Sequence, residues 1–236
     1  MNLEKYIQKP YLLRYLVVTI SMALNGLGVS LMRISCLGTD PFNSMNYSFS
    51  EFFHIPLGLV VIAVSCILLI LSFFTMKSSL GFGTVANMLL LGTSADLWTR
   101  LITAAAGHEF SYTGMEQLPF RLLLVCMGIL CMIFFNSFYI SADLGMSPYD
   151  ALGFIVEKLS GKLPFQWARI LIDSICVITA FLVAGKNGNP WELIGIGTII
   201  MAFGTGPLLA WFKGHVAEPF VQGLCGEKEM GKTMEL

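Results

Sequence analysis

Charge is scarce in this sequence. Only 12% of the 236 residues are charged and 56% are hydrophobic, whereas a typical soluble domain has about 25% charged residues. The formal net charge is −1, so the chain lacks the basic stripe that marks a nucleic-acid-binding protein. We therefore expect no nucleic-acid partner, and the composition argues against an ordinary soluble domain.

Motifs for metal, nucleotide or nucleophilic chemistry are also missing. The chain has no C-x-x-C pair, no H-E-x-x-H, no G-x-x-x-x-G-K-[ST] loop and no paired-carboxylate or Ser-His-Asp set. Its six cysteines lie inside apolar runs or stand alone, where they behave as small hydrophobic residues. We expect no metal site, no cofactor and no enzymatic activity.

Long apolar runs are what the sequence does contain. Residues 15–32, 57–76 and 122–142 carry no charge, and each reaches the roughly 18–20 residues that cross a bilayer core as a helix. The first run is longer than the apolar core of a signal peptide, so we expect it to be a membrane span and not a cleaved signal. Because backbone groups in lipid must bond internally, these runs predict an all-α, polytopic membrane protein in contact with the lipid bilayer.

Landmarks along the chain recur in order, which predicts a duplication. LGTDPF at 37–42 returns as LGMSPY at 144–149, Arg14 returns as Arg121, and GFGT at 81–84 returns as GIGT at 195–198. The predicted organisation has two membrane repeats, a connector and two cytoplasmic tails: repeats 11–103 and 118–212, connector 104–117, tails 1–10 and 213–236.

Each repeat is predicted to hold three long transmembrane helices and one short helix, at 41–55 and 148–162. Thirteen to fifteen residues cover only about 20–22 Å, less than the ~30 Å core, which suits a partly inserted, re-entrant segment. Turns at Gly38–Pro41 and Gly145–Pro148 precede these segments. Asp40 and Ser147 directly precede the prolines, where a side-chain oxygen can cap the free amides of the next helix. The turns are explained either by simple helix punctuation or by a helix N-terminus that faces a cavity and attracts anions.

The number of spans stays open between two models. Six spans and inverted repeats result if the short segments do not cross, and eight spans and parallel repeats result if they do. Lysine and arginine positions fit both models, and both place the two termini in the cytoplasm. The length of the short segments favours six.

Polar residues within the apolar runs are the candidate site, because intramembrane ionisable groups are costly and often functional. Asp173 follows Arg169 by one helical turn, so an ion pair is expected there. Asn43 and Asp150 occupy equivalent positions in the two repeats. Glycines of GFGT and GIGT, with Gly92, Gly204 and Gly206, are expected to permit close helix contact. The candidate substrate-binding residues are Asp40, Asn43, Asn87, Asp96, Asp150 and Asp173.

Two motifs carry a family resemblance. An LG-x-x-P-x-(D/N) turn is followed by a long apolar helix and then by G-x-GT-x-x-N-x-x-x-x-G-x-x-x-D, which here falls on Gly81, Gly83, Thr84, Asn87, Gly92 and Asp96. This arrangement resembles the bacterial YczE/YyaS/YitT-type integral membrane proteins. The second repeat departs from it, with Met201 in place of the asparagine and Ala210 in place of the aspartate. The resemblance implies a multi-pass protein of the bacterial inner membrane and names no substrate.

These features predict a permease-like transporter of an unidentified small solute. Duplicated halves with short or broken helices are the recurring plan of secondary transporters. The alternative is a non-transporting accessory or regulatory protein that contacts a partner through its helices, either a second copy or another membrane protein.

Overall fold

A computed structural model describes residues 9–75, 80–107, 117–161, 165–187, 191 and 193–225. Regular structure in these ranges is helical throughout, which confirms the all-α prediction. The helices in order are α1 (Lys9–Ser35), α2 (Pro41–Phe53), α3 (Leu57–Thr75), α4 (Phe82–Ala106), α5 (Leu118–Ser141), α6 (Pro148–Ser160), α7 (Phe165–Asn187), α8 (Ile196–Phe212) and α9 (Glu218–Cys225). A π-helical turn, Lys213–Ala217, joins α8 to α9.

Long apolar helices identify a multi-pass membrane protein. Within the described ranges, five segments are long and apolar enough to cross a bilayer: Tyr11–Ser35, Leu57–Thr75, Leu118–Ser141, Trp167–Lys186 and Ile196–Leu224. Large apolar side chains lie on the outside, among them Phe74 at 79% and Phe203 at 72% exposure. Exposed apolar surface on this scale fits contact with lipid, as expected from the sequence.

Helix α4 packs along α1 in the same direction. Tyr15 and Phe82 place their ring centroids 4.6 Å apart near the start of both helices. Farther along, Ser30 Oγ donates to the Ala95 carbonyl at 2.8 Å. With 25 residues, α4 is about 37 Å long, which is enough to span a bilayer.

Helices α1 and α5 pack antiparallel. Cys131 Sγ contacts the Leu24 carbonyl at 3.4 Å, whereas Arg121, near the start of α5, donates from Nε to the Ser35 carbonyl at 2.9 Å. A glycine brings the two backbones together, since a Cβ on Gly28 would lie 2.8 Å from the Met132 nitrogen. Equivalent helices of the two predicted repeats therefore run in opposite directions.

The short helices have the predicted positions and length. Helices α2 and α6 contain 13 residues each, or about 20 Å. Each helix ends at a residue whose backbone adopts the left-handed conformation. These residues are His54 after α2, with φ of 54°, and Gly161 after α6, with φ of 63°. Neither helix could cross a bilayer core unaided.

Glycine-rich turns tie the two halves of the chain together. Gly83 N donates to the Leu144 carbonyl at 2.7 Å, and Gly197 N donates to the Leu37 carbonyl at 2.9 Å. Gly38 and Gly145 have φ of +98° and +107°, and a Cβ on Gly38 would lie 2.4 Å from the Gly195 nitrogen. Each LG-x-x-P turn thus rests on the glycine motif of the opposite half.

The expectation for the other glycines is partly wrong. A Cβ on Gly92 would lie 2.8 Å from the Gly58 Cα, so this glycine does permit close packing of α3 and α4. No described atom lies within 4 Å of a Cβ built on Gly206, and only side-chain atoms at 3.8 Å or more surround Gly204. Neither position needs a glycine for close packing.

The C-terminal end differs from the expected tail in part. Residues 213–225 continue the helix begun by α8, and Ala217 and Val221 are fully buried. Small and branched apolar residues four apart share a helix face, which explains why this segment packs against the bundle. The described residues do not include residues 1–8, Lys77, most of the connector (108–116) or residues 226–236.

Candidate functional site

Both short helices begin with the same capped turn. Asp40 Oδ1 accepts from Asn43 N at 3.1 Å at the start of α2, and Ser147 Oγ accepts from Asp150 N at 3.0 Å at the start of α6. The prolines of the two turns occupy the first helical positions, where a missing N–H costs nothing. The predicted capping by Asp40 and Ser147 is confirmed.

The two helix N-termini meet each other. The ring of Phe42, second residue of α2, stacks on the ring of Tyr149, second residue of α6, with centroids 4.4 Å apart and planes inclined by 29°. Both rings are buried. This contact joins two short helices that begin 107 residues apart in sequence.

A polar cavity of about 80 Å³ lies at this junction. Asn25 and Met132, which line it, belong to the middle of α1 and α5, so the cavity sits midway along the long helices. It has room for a few water molecules, each occupying about 30 Å³ in the liquid. Its lining residues are Asn25, Asp40, Phe42, Asn43, Ser65, Asn87, Leu91, Met132, Ile133, Asn136, Ser147, Tyr149, Asp150, Arg169, Met201 and Thr205.

Asp40 and Asn43 form one side of the cavity. Besides the capping bond, Asn43 Nδ2 donates to Asp40 Oδ2 at 2.7 Å. Asn43 is 2% exposed, and its Oδ1 has no hydrogen-bond partner among the described residues. The aspartate is therefore held in place by the asparagine, which keeps a free acceptor.

Arg169 organises the opposite side. Its Nη1 lies 2.6 Å from Asp150 Oδ1 and its Nε lies 3.4 Å from Asp173 Oδ1, so the ion pair expected between Arg169 and Asp173 is confirmed. The guanidinium also lies over the Tyr149 ring at 4.4 Å, a favourable cation–π geometry. Tyr149 donates its hydroxyl hydrogen to Asp173. One cation here serves two carboxylates.

Asparagines complete the polar lining on the side of the long helices. Asn87 Nδ2 contacts the sulfur of Met22 at 3.3 Å. Asn25 is 4% exposed, and its Oδ1 has no partner among the described residues. Asn25 and Asn43 thus both line the cavity, and each has a buried amide oxygen without a donor among the described residues.

Four of the six predicted site residues line the cavity, namely Asp40, Asn43, Asn87 and Asp150. Asp173 is connected to these residues by its ion pair with Arg169 and by the hydrogen bond it accepts from Tyr149. Asp96 lies elsewhere, because its carboxylate accepts from the backbone nitrogens of Leu57 at 3.2 Å and Gly58 at 2.7 Å. Those bonds cap the start of α3, so the position of Asp96 is explained by a structural role.

Sequence reasoning missed Asn25 and the second partner of Arg169. A signal for Asn25 was present, since it is the single amide residue in the charge-free run 15–32. The pairing of Arg169 with Asp150 had no such signal, because the two residues lie 19 positions apart on different helices. Tyr149 was not among the predicted site residues.

Comparison with known proteins agrees with this architecture. Two proteins of Bacillus subtilis (strain 168) are similar to the chain. The uncharacterized membrane protein YczE is 25% identical over 198 residues, 84% of both chains, and the uncharacterized protein YyaS is 25% identical over 211 residues, 89% of this chain and 94% of its own. No solved structure matches.

The relatives confirm the resemblance seen in the LG-x-x-P and glycine motifs. A model of a family of unknown function, DUF6198, matches residues 12–214. That span includes α2, α6 and all the residues that line the cavity. The chain is a member of the DUF6198 family.

Proposed function

We propose that this protein is a non-enzymatic permease for a small solute, which binds in the cavity between α2 and α6. One observation carries the proposal: two half-length helices meet N-terminus to N-terminus at a polar cavity midway along the long helices. Irregular backbone at such a depth is tolerated where it lines a cavity. Discontinuous helices that meet at mid-membrane are a recurrent design of substrate sites in transporters.

The size of the cavity limits the solute. Pockets for drug-sized ligands measure about 300–1,000 Å³, whereas this cavity measures about 80 Å³. An ion or a solute of a few heavy atoms fits without rearrangement. We infer that the solute belongs to this size class.

The repeats are proposed to be inverted, with six spans and both termini in the cytoplasm. The antiparallel packing of α1 and α5 supports inversion, because parallel repeats would align these equivalent helices. The parallel packing of α1 and α4 supports six spans, since one further crossing, by α2, would reverse α4. Reciprocal contacts of Leu37 with Gly197 and of Leu144 with Gly83 support a duplicated unit.

A cavity also favours transport over the accessory role. A protein that acts only through helix contacts needs no cavity at its centre, whereas here a cavity lined by Asn25, Asn43 and Asp150 lies between the helices. A stable membrane partner recovered with the protein, together with no flux, would favour the accessory role.

Proteoliposomes provide the test. Vesicles that contain the purified chain are mixed with a hyperosmotic solution of each candidate small solute, and reswelling is followed by light scattering. We expect reswelling with at least one solute, abolished by Asn43→Ala and by Asp150→Ala at unchanged protein content.

The matched control is Asn46→Ala. Asn46 is a fully buried asparagine of α2, one turn beyond Asn43, and it does not line the cavity. It should keep wild-type flux. Equal flux in wild-type, Asn43→Ala and Asp150→Ala vesicles would remove the cavity from the pathway.

A further inference from the structure

Unpaired oxygens at the cavity indicate which ligand it takes. The Oδ1 atoms of Asn25 and Asn43 are buried and have no donor among the described residues, although both residues line the cavity. Leaving a buried acceptor unpaired is unfavourable. A ligand that supplies positive charge or N–H donors would satisfy both oxygens.

The orientation of Asn43 follows from its own hydrogen bond. Its Nδ2 donates to Asp40 Oδ2, so its Oδ1 points away from that carboxylate and remains an acceptor. Asparagine oxygen cannot donate. Asn43 and Asp40, three positions apart at the start of α2, thus contribute an amide oxygen and a carboxylate to the lining of the cavity.

Charge at the cavity is unbalanced between its two sides. Arg169 compensates Asp150 and Asp173. No cationic side chain among the described residues lies within ion-pair distance of Asp40. The Asp40 carboxylate instead accepts hydrogen bonds from two neutral groups of Asn43, its backbone nitrogen and its Nδ2.

Few free backbone donors remain at the two helix N-termini. Pro41 and Pro148 have no N–H. The amides of Asn43 and Asp150 already donate to the caps Asp40 and Ser147. An anion would therefore find few free amides here and a carboxylate beside them.

We propose that the cavity binds a small monovalent cation, either an alkali ion or ammonium, through Asn25 Oδ1, Asn43 Oδ1 and the Asp40 carboxylate. Amide and carboxylate oxygens are the ligands of hard cations, and ammonium would donate hydrogen bonds to the same atoms. This inference rests on the proposed function for its location and names the class of the solute. Binding itself does not require transport.

Thermal unfolding of the purified full chain in detergent tests the proposal. Lithium, sodium, potassium and ammonium chlorides are each titrated against choline chloride at constant ionic strength. A ligand that binds only the folded state raises Tm with its concentration. We expect a saturable rise in Tm with at least one small cation relative to choline. Equal Tm values in all five salts would overturn the proposal, and the responding salt distinguishes the alkali ions from ammonium.

Variants then locate the site. Asn43→Ala and Asn25→Ala should each weaken the apparent cation affinity about tenfold or more, the scale on which metal sites lose affinity even when an outer-shell partner is removed. Asp40→Asn keeps a capping oxygen but loses the charge, and it should weaken binding similarly. Asn46→Ala should bind like the wild type. If Asn43→Ala fails to fold, Asn25→Ala, on a different helix, decides alone.

Two results would contradict the assignment: unchanged affinity in Asn25→Ala, or an equal loss in Asn46→Ala. The flux assay separates this proposal from the preceding one. Stabilisation by a cation without flux of any solute retains the cation site and refutes the permease. Flux of a neutral solute without stabilisation by any cation refutes the cation site and retains the permease.

Discussion

Replacing Gly195 with alanine tests the contact that joins the two halves of the molecule. Gly195 precedes α8 and lies against the turn that follows α1. A Cβ at this position would lie 2.3 Å from the Leu37 oxygen and 2.6 Å from the Leu37 carbonyl carbon. Backbone atoms cannot rotate aside as a flexible side chain can, so the two segments must separate.

The expected cost has two parts. Forcing extra atoms into a packed interface costs about 1–3 kcal/mol. Separation also weakens the bond from Gly197 N to the Leu37 carbonyl, 2.9 Å long, and a typical hydrogen bond contributes about 1 kcal/mol. Together these predict a loss of about 2–4 kcal/mol in the free energy of unfolding, or at least about 4 °C in Tm for a chain of this size.

Gly204→Ala is the matched control. It lies inside α8, and its added Cβ would meet only side-chain atoms of Ile200 and Leu208, at 3.8 and 4.0 Å. Alanine is the better helix former by up to about 1 kcal/mol, so this variant should be as stable as the wild type or more so. Tm would be measured for both variants in the same detergent. Equal Tm values for Gly195→Ala and Gly204→Ala would refute the claim that the halves are held together at this turn.

Three further predictions concern the site and the topology. Asp40→Ala should cost roughly 0.5–2 kcal/mol of stability through loss of the cap and Asp40→Asn much less, as measured by Tm; equal losses would contradict the capping role. Arg169→Met should lower stability by about 1–3 kcal/mol. This is less than the 3–5 kcal/mol lost when a fully buried pair is broken, because Arg169 and Asp150 are each 30% exposed. Adding Asp150→Asn should restore part of the Tm, and no recovery would argue against the unpaired charge as the cause. Thr113→Cys, outside the described residues and in a background without the native cysteines, should react with an impermeant maleimide from outside the cell; labelling from the cytoplasm alone would contradict the six-span topology.

Much of the fold could be predicted from local sequence because each element is specified locally. The charge-free runs coincide with α1, α3 and α5, since in lipid an apolar segment has to satisfy its own backbone as a helix. The bounds of α2 and α6 follow from proline at the first turn and from Asp40 and Ser147 at the cap. The pair between Arg169 and Asp173 lies within one helical turn, so spacing alone indicated it.

Part of the site could be predicted for a different reason. Asp40, Asn43, Asn87 and Asp150 are polar residues in apolar surroundings, and the cost of burying them suggested a shared environment. The same rule also selected Asp96, whose carboxylate instead caps α3 through the nitrogens of Leu57 and Gly58. The energetic cost of burying a polar side chain identifies a residue that needs a hydrogen-bond or charge partner. It does not say whether that partner is a backbone amide or a ligand.

By itself the sequence determined the membrane environment, the helices, the two short segments and the recurrence of their turns. These depend on composition and on residues within a few positions of one another. Only the tertiary structure decided that Phe42 stacks on Tyr149, that Arg169 also pairs with Asp150, and that Asn25 faces the same cavity as Asn43. Antiparallel packing of α1 and α5 brings these residues together from distant parts of the chain, and such contacts leave no periodic trace in the sequence.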